Sequence, residues 1–266
     1  MAKERLITKR ARLKEKMYKG RFLLPNLLTV GNMFCGFLAI CYAYGGNFKK
    51  AIFYVFLAVI LDGLDGRTAR KLDACTKFGF EFDSLSDLVS FGLAPAILCY
   101  NWAMVMYYDE LGIFISFIYV VCAACRLARF NSSAENLKSF EGLPTTFAAV
   151  VMMSLIFAFR KPGVEPSFAL SCVVSVVMCY VSFLMVSNYR FISIKLLKLP
   201  NHSQMNSIIL IAIFLGLLWW YPKVVLLAIS AIYCVSGPVI SYLDKKKAKK
   251  SEASLLNNQV NNQKDS

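Results

Sequence analysis

Four aspartates stand at helical spacing in a chain that is otherwise strongly apolar. Asp62 and Asp65 are three residues apart, and Asp83 and Asp87 are four apart, so each pair shares one helix face. A carboxylate near the centre of a membrane helix costs about 2.5–3.5 kcal/mol to insert, which makes such residues functional candidates. Carboxylates without histidine form a hard, oxygen-rich site that suits Mg²⁺ or Mn²⁺. The pattern therefore predicts a divalent-metal site whose remaining ligands are phosphate oxygens.

Small residues leave room for a ligand beside these carboxylates. Gly66, Ala69 and Gly79 would let a ligand approach the backbone closely, and Arg70 stands one turn beyond Gly66. An alternative is that basic side chains neutralise the aspartates as structural ion pairs at the level of the lipid head groups. The candidates for such pairs are Arg67, Arg70, Lys71 and Lys77.

Composition predicts that membrane helices carry these residues. Of the 266 residues, 58% are hydrophobic and only 17% are charged, too few for the surface of a soluble domain. Successive apolar segments are long enough to cross a bilayer core of about 30 Å. The sequence predicts an all-α, polytopic membrane helical bundle of about eight transmembrane helices, at 23–45, 50–66, 84–107, 111–130, 144–160, 167–188, 205–221 and 223–243.

The distribution of basic residues predicts the orientation of the bundle. With eight spans and the N-terminus inside, 25 of the 30 Lys and Arg residues lie on the cytoplasmic side. Both termini and the aspartates are therefore expected at the cytoplasmic face. Because orientation accounts for the charge, we expect no nucleic-acid partner. Residues 1–21 are predicted to form a basic interfacial segment, with a disordered tail as the alternative, and residues 244–266 a disordered polar tail.

Eight positions over residues 62–87 resemble the signature of the CDP-alcohol phosphotransferases: Asp62-x2-Asp65-Gly66-x2-Ala69-Arg70-x8-Gly79-x3-Asp83-x3-Asp87. The resemblance implies a catalytic six-helix core over 22–190 and two additional spans over 191–243. It implies that the four aspartates bind two Mg²⁺ or Mn²⁺ ions, with Asp87 also acting as the catalytic base. It further implies that CDP-diacylglycerol binds around them, at Gly66, Ala69, Arg70, Gly79, Asn26 and Thr29.

Further stretches resemble the membrane-integral bacterial branch of this family, whose acceptor is L-serine. They are LPNLLTVGNMFCGFLAI, SLSDLVSFGLAPA, CRLARFN and FEGLPTTFAA. The resemblance implies transfer of the phosphatidyl group of CDP-diacylglycerol to L-serine with release of CMP, by a homodimer in the cell inner membrane. The sequence departs from the branch at Phe80, Phe82 and Thr146, the last where proline is expected. We expect none of these three residues to touch the metal site.

Polar residues on other spans are candidates for the acceptor site. Arg126 and Arg129 could bind the serine carboxylate through bidentate hydrogen bonds, and Asn131 and Glu141 could meet the ammonium group. Alternatively, the two arginines are topogenic anchors that touch lipid phosphate. Asn26, Thr29 and Asn32 share a stripe of the first span, where they line the nucleotide site or simply bond between helices.

Three other functions are compatible with parts of the sequence. A sibling enzyme would use glycerol 3-phosphate, inositol or inositol phosphate as acceptor, and a phosphorylated acceptor would need an additional basic cluster near the metals. A divalent-cation transporter is disfavoured, because the aspartates cluster at one side of the membrane and the Gly, Ala and Arg spacing would be unexplained. A non-catalytic lipid-binding scaffold would bind CDP-diacylglycerol without turnover.

Overall fold

The computed structural model describes residues 23–72, 74, 76–132, 142–189, 191, 216–217 and 219–264. These residues contain no strand and form seven helices of 15 residues or more. The helices are α1 (Leu23–Tyr44), α2 (Phe48–Lys71), α3 (Lys77–Met104), α4 (Asp109–Ser132), α5 (Thr145–Phe159), α6 (Phe168–Val186) and α7 (Pro222–Lys264).

The helices confirm an all-α, multi-pass membrane protein. Each of the first six predicted spans lies on one helix, although α3 begins at Lys77 and not at residue 84. Within the described residues, five helices are long and apolar enough to cross a bilayer: α1, α3, α4, α6 and the part of α7 from Pro222 to Tyr242. Most of the predicted span 205–221 and the whole segment 1–21 lie outside the described residues.

The last helix extends further than the sequence led us to expect. We predicted a disordered tail from residue 244, whereas α7 continues as a helix to Lys264. Residues 244–264 contain neither glycine nor proline, and 12 of these 21 residues are Lys, Ala, Leu or Gln, which have high helix propensity. The polar composition that suggested disorder is therefore equally compatible with a helix that leaves the membrane.

Close packing of α1 against α3 sets the position of the aspartates. A Cβ atom placed on Gly36 of α1 would lie 2.7 Å from the Cα atom of Ser90, so only glycine fits at this crossing. Two buried serines of α3 then donate hydrogen bonds to α1 carbonyl groups, Ser90 to Asn32 at 2.9 Å and Ser86 to Thr29 at 3.1 Å. These bonds fix the register between the two helices around Asp87.

The helix α3 changes its winding immediately after Asp87. Residues Leu88–Leu93 form a π-helical turn, a widened turn that is frequent at functional sites. The Tyr119 hydroxyl of α4, fully buried, donates a hydrogen bond of 3.1 Å to the Phe91 carbonyl inside this turn. The widened turn separates the polar first part of α3, which carries the aspartates, from its buried second part.

The start of α5 is held against the end of α6. Gly142 adopts a φ of +80°, and a Cβ atom at this position would lie 2.6 Å from the Met185 carbonyl oxygen. Its backbone N–H donates to the Tyr189 carbonyl at 2.9 Å, and the next N–H, of Leu143, donates to the Leu184 carbonyl at 3.0 Å. These contacts determine where the first turn of α5 stands relative to the aspartates.

Substitution of Gly36 tests the packing of α1 on α3. We expect Gly36→Ala to lower the free energy of unfolding by about 1–3 kcal/mol, the usual cost of overpacking, because the added Cβ would meet the backbone of Ser90. Thermal unfolding of the detergent-solubilised protein measures the change. The matched control is Gly31→Ala on the same helix, whose Cβ would make an ordinary contact of 3.4 Å with Leu61. Equal unfolding temperatures for the two variants would contradict the packing argument.

Candidate active site

Three of the predicted metal ligands converge at one end of α2 and α3. Carboxylate oxygens of Asp62, Asp83 and Asp87 all lie within 4.8 Å of one another, and all three residues are partly buried. Like charges at this distance repel strongly where the surroundings exclude water. Bound cations would offset this repulsion, so the arrangement suits a site for divalent cations.

Asp65 lies beside this group and not within it. It is only 4% exposed and lies within hydrogen-bonding distance of Asp83. Its Oδ2 atom accepts a hydrogen bond of 3.1 Å from the Thr29 hydroxyl of α1. The four predicted aspartates therefore share one site, with three at mutual ligand distance and the fourth adjacent to them.

Neutral hydrogen-bond donors from other helices contact two carboxylates of the group, those of Asp87 and Asp62. Asn32 Nδ2 donates to Asp87 Oδ1 at 3.2 Å, and the Thr146 hydroxyl donates to Asp62 Oδ2 at 3.3 Å. Because these donors carry no charge, they orient the carboxylates without neutralising them.

Two buried oxygen atoms of the site lack a hydrogen-bond partner among the described residues: Asp83 Oδ1 and Asn32 Oδ1. A buried polar atom without a partner costs about 1–3 kcal/mol, so its presence calls for a ligand. A divalent cation fits the site, because it would satisfy the Asp83 oxygen and neutralise the uncompensated charge of the aspartates.

A cavity of about 360 Å³ opens beside the aspartates. All six residues that the sequence assigns to CDP-diacylglycerol line it, together with three of the aspartates: Asn26, Thr29, Gly66, Ala69, Arg70, Gly79, Asp62, Asp65 and Asp83. Apolar walls come from Pro25, Phe80 and Phe130, and the rings of the two phenylalanines are 5.8 Å apart. The cavity thus combines flat apolar surface with carboxylates and one exposed guanidinium group.

The two glycines of the cavity differ in their surroundings. A Cβ atom on Gly66 would meet only the Arg70 guanidinium, at 3.8 Å, so the protein itself leaves room there. Gly79 lies in the first turn of α3, where its N–H donates to the capping Thr76 hydroxyl at 3.0 Å. A Cβ atom on Gly79 would stand 3.1 Å from that hydroxyl. Packing within the protein accounts for Gly79, whereas Gly66 faces free space.

The residues predicted for the acceptor are not brought together as a group. Arg126 is buried, donates from Nε to the Leu143 carbonyl at 2.7 Å, and lies within electrostatic reach of Asp87. Arg129 is half-buried and donates to the Val186 carbonyl at 3.4 Å, on the side of α6. Neither arginine lines the cavity described above.

Asn131 is engaged within the protein. Its Nδ2 donates to Glu81 Oε2 at 2.8 Å, and its Oδ1 accepts from the Ser84 hydroxyl at 3.0 Å. It therefore links the end of α4 to the first part of α3. Glu141 lies outside the described residues. Among the acceptor candidates that the structure describes, Arg126 lies within electrostatic reach of Asp87.

One residue that we expected not to touch the metal site, Thr146, bonds to Asp62. This expectation was wrong, because the first turn of α5 packs against the end of α2. Phe80 lies one helical turn before Asp83 and lines the cavity. The sequence indicated that Asn32 could face the site, since it shares a stripe of α1 with Thr29. The sequence contained no comparable signal for Thr146.

Comparison with known proteins agrees with this geometry. The sequence model of the CDP-alcohol phosphatidyltransferase family matches residues 22–186, which include α1 to α6. A CDP-diacylglycerol–serine O-phosphatidyltransferase of Helicobacter pylori is 36% identical over 223 residues, covering 81% of this chain and 90% of that protein. The enzyme of the same name from Bacillus subtilis is 34% identical over 168 residues, covering 63% and 89%.

Another relative is named for a different lipid product. The archaetidylserine synthase of Methanothermobacter thermautotrophicus is 35% identical over 181 residues, covering 67% of this chain and 73% of that protein. The match to the family covers more than half of this chain and includes all four aspartates. This chain is therefore a member of the CDP-alcohol phosphatidyltransferase family.

Proposed function

We propose that this protein transfers the phosphatidyl group of CDP-diacylglycerol to the hydroxyl group of L-serine, giving phosphatidylserine and CMP. One observation carries the proposal: Asp62, Asp83 and Asp87 converge beside a cavity lined by every residue that the sequence assigns to the nucleotide lipid. Two relatives, each of which is matched over most of its length, carry the name of this activity, and this supports serine as the acceptor.

The proposed metal site consists of Asp62, Asp83 and Asp87, with Asp65 as an additional ligand. Mg²⁺ or Mn²⁺, and two ions in total, suit an all-carboxylate site of this charge. When bound, such ions polarise the phosphoryl group and stabilise the CMP leaving group. The unpartnered Asp83 Oδ1 and the neutral donors to Asp62 and Asp87 support this assignment.

The cavity is the proposed site of the cytidine and diphosphate groups. Gly66 and Ala69 would let the nucleotide approach the backbone of α2, and the exposed Arg70 guanidinium would bind a phosphate. Thr29 contributes indirectly, because the single hydrogen of its hydroxyl is already shared between the Pro25 carbonyl and Asp65 Oδ2, both at 3.1 Å. We assign to Thr29 the support of Asp65, and to Asn26 a direct contact with the ligand.

Asp87 is the proposed base. Asn32 occupies its Oδ1 atom, so Oδ2 is left to accept the proton of the serine hydroxyl. The serine oxygen forms a bond to the phosphorus that bears diacylglycerol, and the bond from that phosphorus to the CMP oxygen breaks. Arg126 is the proposed partner of the serine carboxylate, because its Nε is held by Leu143 and its two terminal amino groups can bind a carboxylate bidentately.

We further propose that the site faces the cytoplasm, with both termini inside. The excess of Lys and Arg in the segments assigned to that side supports this orientation. The proposed organisation is a catalytic core over residues 22–190, two additional spans over 191–243, and basic segments at both ends. A homodimer in the cell inner membrane follows from the resemblance, and large apolar side chains exposed on the helices suit contact with lipid or a second subunit.

Removing one carboxylate tests the metal site. We expect Asp83→Asn to reduce the rate of CMP release by about 100-fold or more, because metal stabilisation is worth several kcal/mol and about 1.4 kcal/mol corresponds to tenfold in rate. The rate is measured with CDP-diacylglycerol, L-serine and Mn²⁺. The control is Glu110→Gln, which removes an exposed carboxylate beyond the far end of α3. A variant of Asp83 that retains the wild-type rate would exclude the proposed site.

A panel of acceptors tests the substrate. With CDP-diacylglycerol and Mn²⁺, we expect CMP release with L-serine and none above background with glycerol 3-phosphate or inositol. The physical reason is that the buried Arg126 of the proposed acceptor site matches a single carboxylate, whereas inositol carries no carboxylate and a phosphorylated acceptor would need an additional basic cluster. Reactions without acceptor give the background. Release with glycerol 3-phosphate alone would assign the protein to a sibling activity.

The open space at Gly66 gives a test of nucleotide binding. We expect Gly66→Ala to raise the KM for CDP-diacylglycerol several-fold without lowering thermal stability, because the added methyl group meets the ligand and makes only an ordinary contact of 3.8 Å within the protein, with Arg70. The Gly31→Ala variant on α1 serves as control, since it also adds a single methyl group to a helix. An unchanged KM for Gly66→Ala would place the nucleotide elsewhere.

A further inference from the structure

We propose that Thr146 is a positioning residue for the metal ligand Asp62, and that the affinity of the site for divalent cations depends on its hydroxyl group. The Thr146 hydroxyl donates a hydrogen bond of 3.3 Å to Asp62 Oδ2, although the two residues are 84 positions apart in the chain. The inference rests on the metal site proposed above, and it goes beyond that proposal by adding a group from α5.

The surrounding structure fixes the position of Thr146. The backbone immediately before it is held by the bonds from Gly142 to Tyr189 and from Leu143 to Leu184, so the first turn of α5 cannot shift without breaking both. On its other side, the ring of Phe147 stacks on Tyr233 of α7 with centroids 4.2 Å apart. A hydroxyl on so constrained a turn is a suitable group for orienting a carboxylate.

The segment from Gly142 to Thr146 also supports the proposed acceptor site. The Leu143 carbonyl accepts the hydrogen bond from Arg126 Nε, three residues before the threonine that bonds to Asp62. One short segment thus contacts a metal ligand on α2 and a buried arginine on α4. It links the two halves of the site, because both contacts come from the same rigid turn.

The hydroxyl group has a specific physical role. A carboxylate in a metal site can rotate, and a hydrogen bond to one of its oxygens restricts it to the orientation that presents the other oxygen to the cation. Loss of groups that hold a metal ligand in place typically costs about 10–100-fold in metal affinity. Because the bond from Thr146 is long, at 3.3 Å, we expect an effect near 10-fold.

Direct Mn²⁺ binding tests the proposal without any substrate. The full chain, purified in detergent, is titrated with Mn²⁺, and free ion is measured by its electron paramagnetic resonance signal. Thr146→Val preserves the shape of the side chain but removes the donor, whereas Thr146→Ser retains the donor. Thr145→Val is the matched control, since it makes the same change one position earlier in the same buried turn. Thermal unfolding without metal shows whether each variant is folded.

We expect Thr146→Val to bind Mn²⁺ about 10-fold more weakly, with Thr146→Ser and Thr145→Val close to wild type. In the transfer assay, Thr146→Val should need more Mn²⁺ for half-maximal rate and should recover most of the rate at saturating Mn²⁺. Equal Mn²⁺ affinity of wild type and a folded Thr146→Val would overturn the inference while leaving the metal site intact. Absence of Mn²⁺ binding by the wild type would overturn both.

Discussion

Mutual repulsion of the clustered carboxylates is the constraint on which the rest of this structure depends. Two unit charges separated by 4.8 Å, the limit for Asp62, Asp83 and Asp87, repel by about 3.5 kcal/mol at an effective dielectric constant of about 20. With three such pairs, the cost is comparable to the net stability of a protein. The hydrogen-bond donors to Asp62 and Asp87 are neutral side chains, so these bonds leave the repulsion in place, and bound cations would relieve it.

Close and specific packing between the helices opposes this repulsion. Gly36 lets α1 approach α3, and the buried serines of α3 then bond to the α1 backbone, which places Asn32 beside Asp87 and Thr29 beside Asp65. The π-helical turn that begins after Asp87 separates the part of α3 that carries aspartates from its buried second part. Rigid helices are suited to this task, because a carboxylate cluster on a loop would relax by moving apart.

The site has two sides with different surroundings. One side is the cavity next to α1, α2 and the start of α3, where free space at Gly66 and the flat rings of Phe80 and Phe130 suit a nucleotide. On the other side, Asp62 and Asp87 approach α4 and α5, where Arg126 and Thr146 are supported by one short turn. The last helix, beyond the matched family region, reaches this second side through the stacking of Tyr233 on Phe147.

The sequence by itself determined the first six helices, the pairing of aspartates on helix faces and many of the residues that line the cavity, because these follow from local periodicity and from a motif contained in 26 residues. Only the tertiary structure decided which groups from distant helices meet them. Thr146 reaches Asp62 and Asn131 turns to Glu81 because of the register between helices, and that register depends on contacts such as Gly36 with Ser90 and on the widened turn after Asp87. Periodicity within one helix contains no information about such contacts, since they arise from side-chain packing between segments that are far apart in the chain.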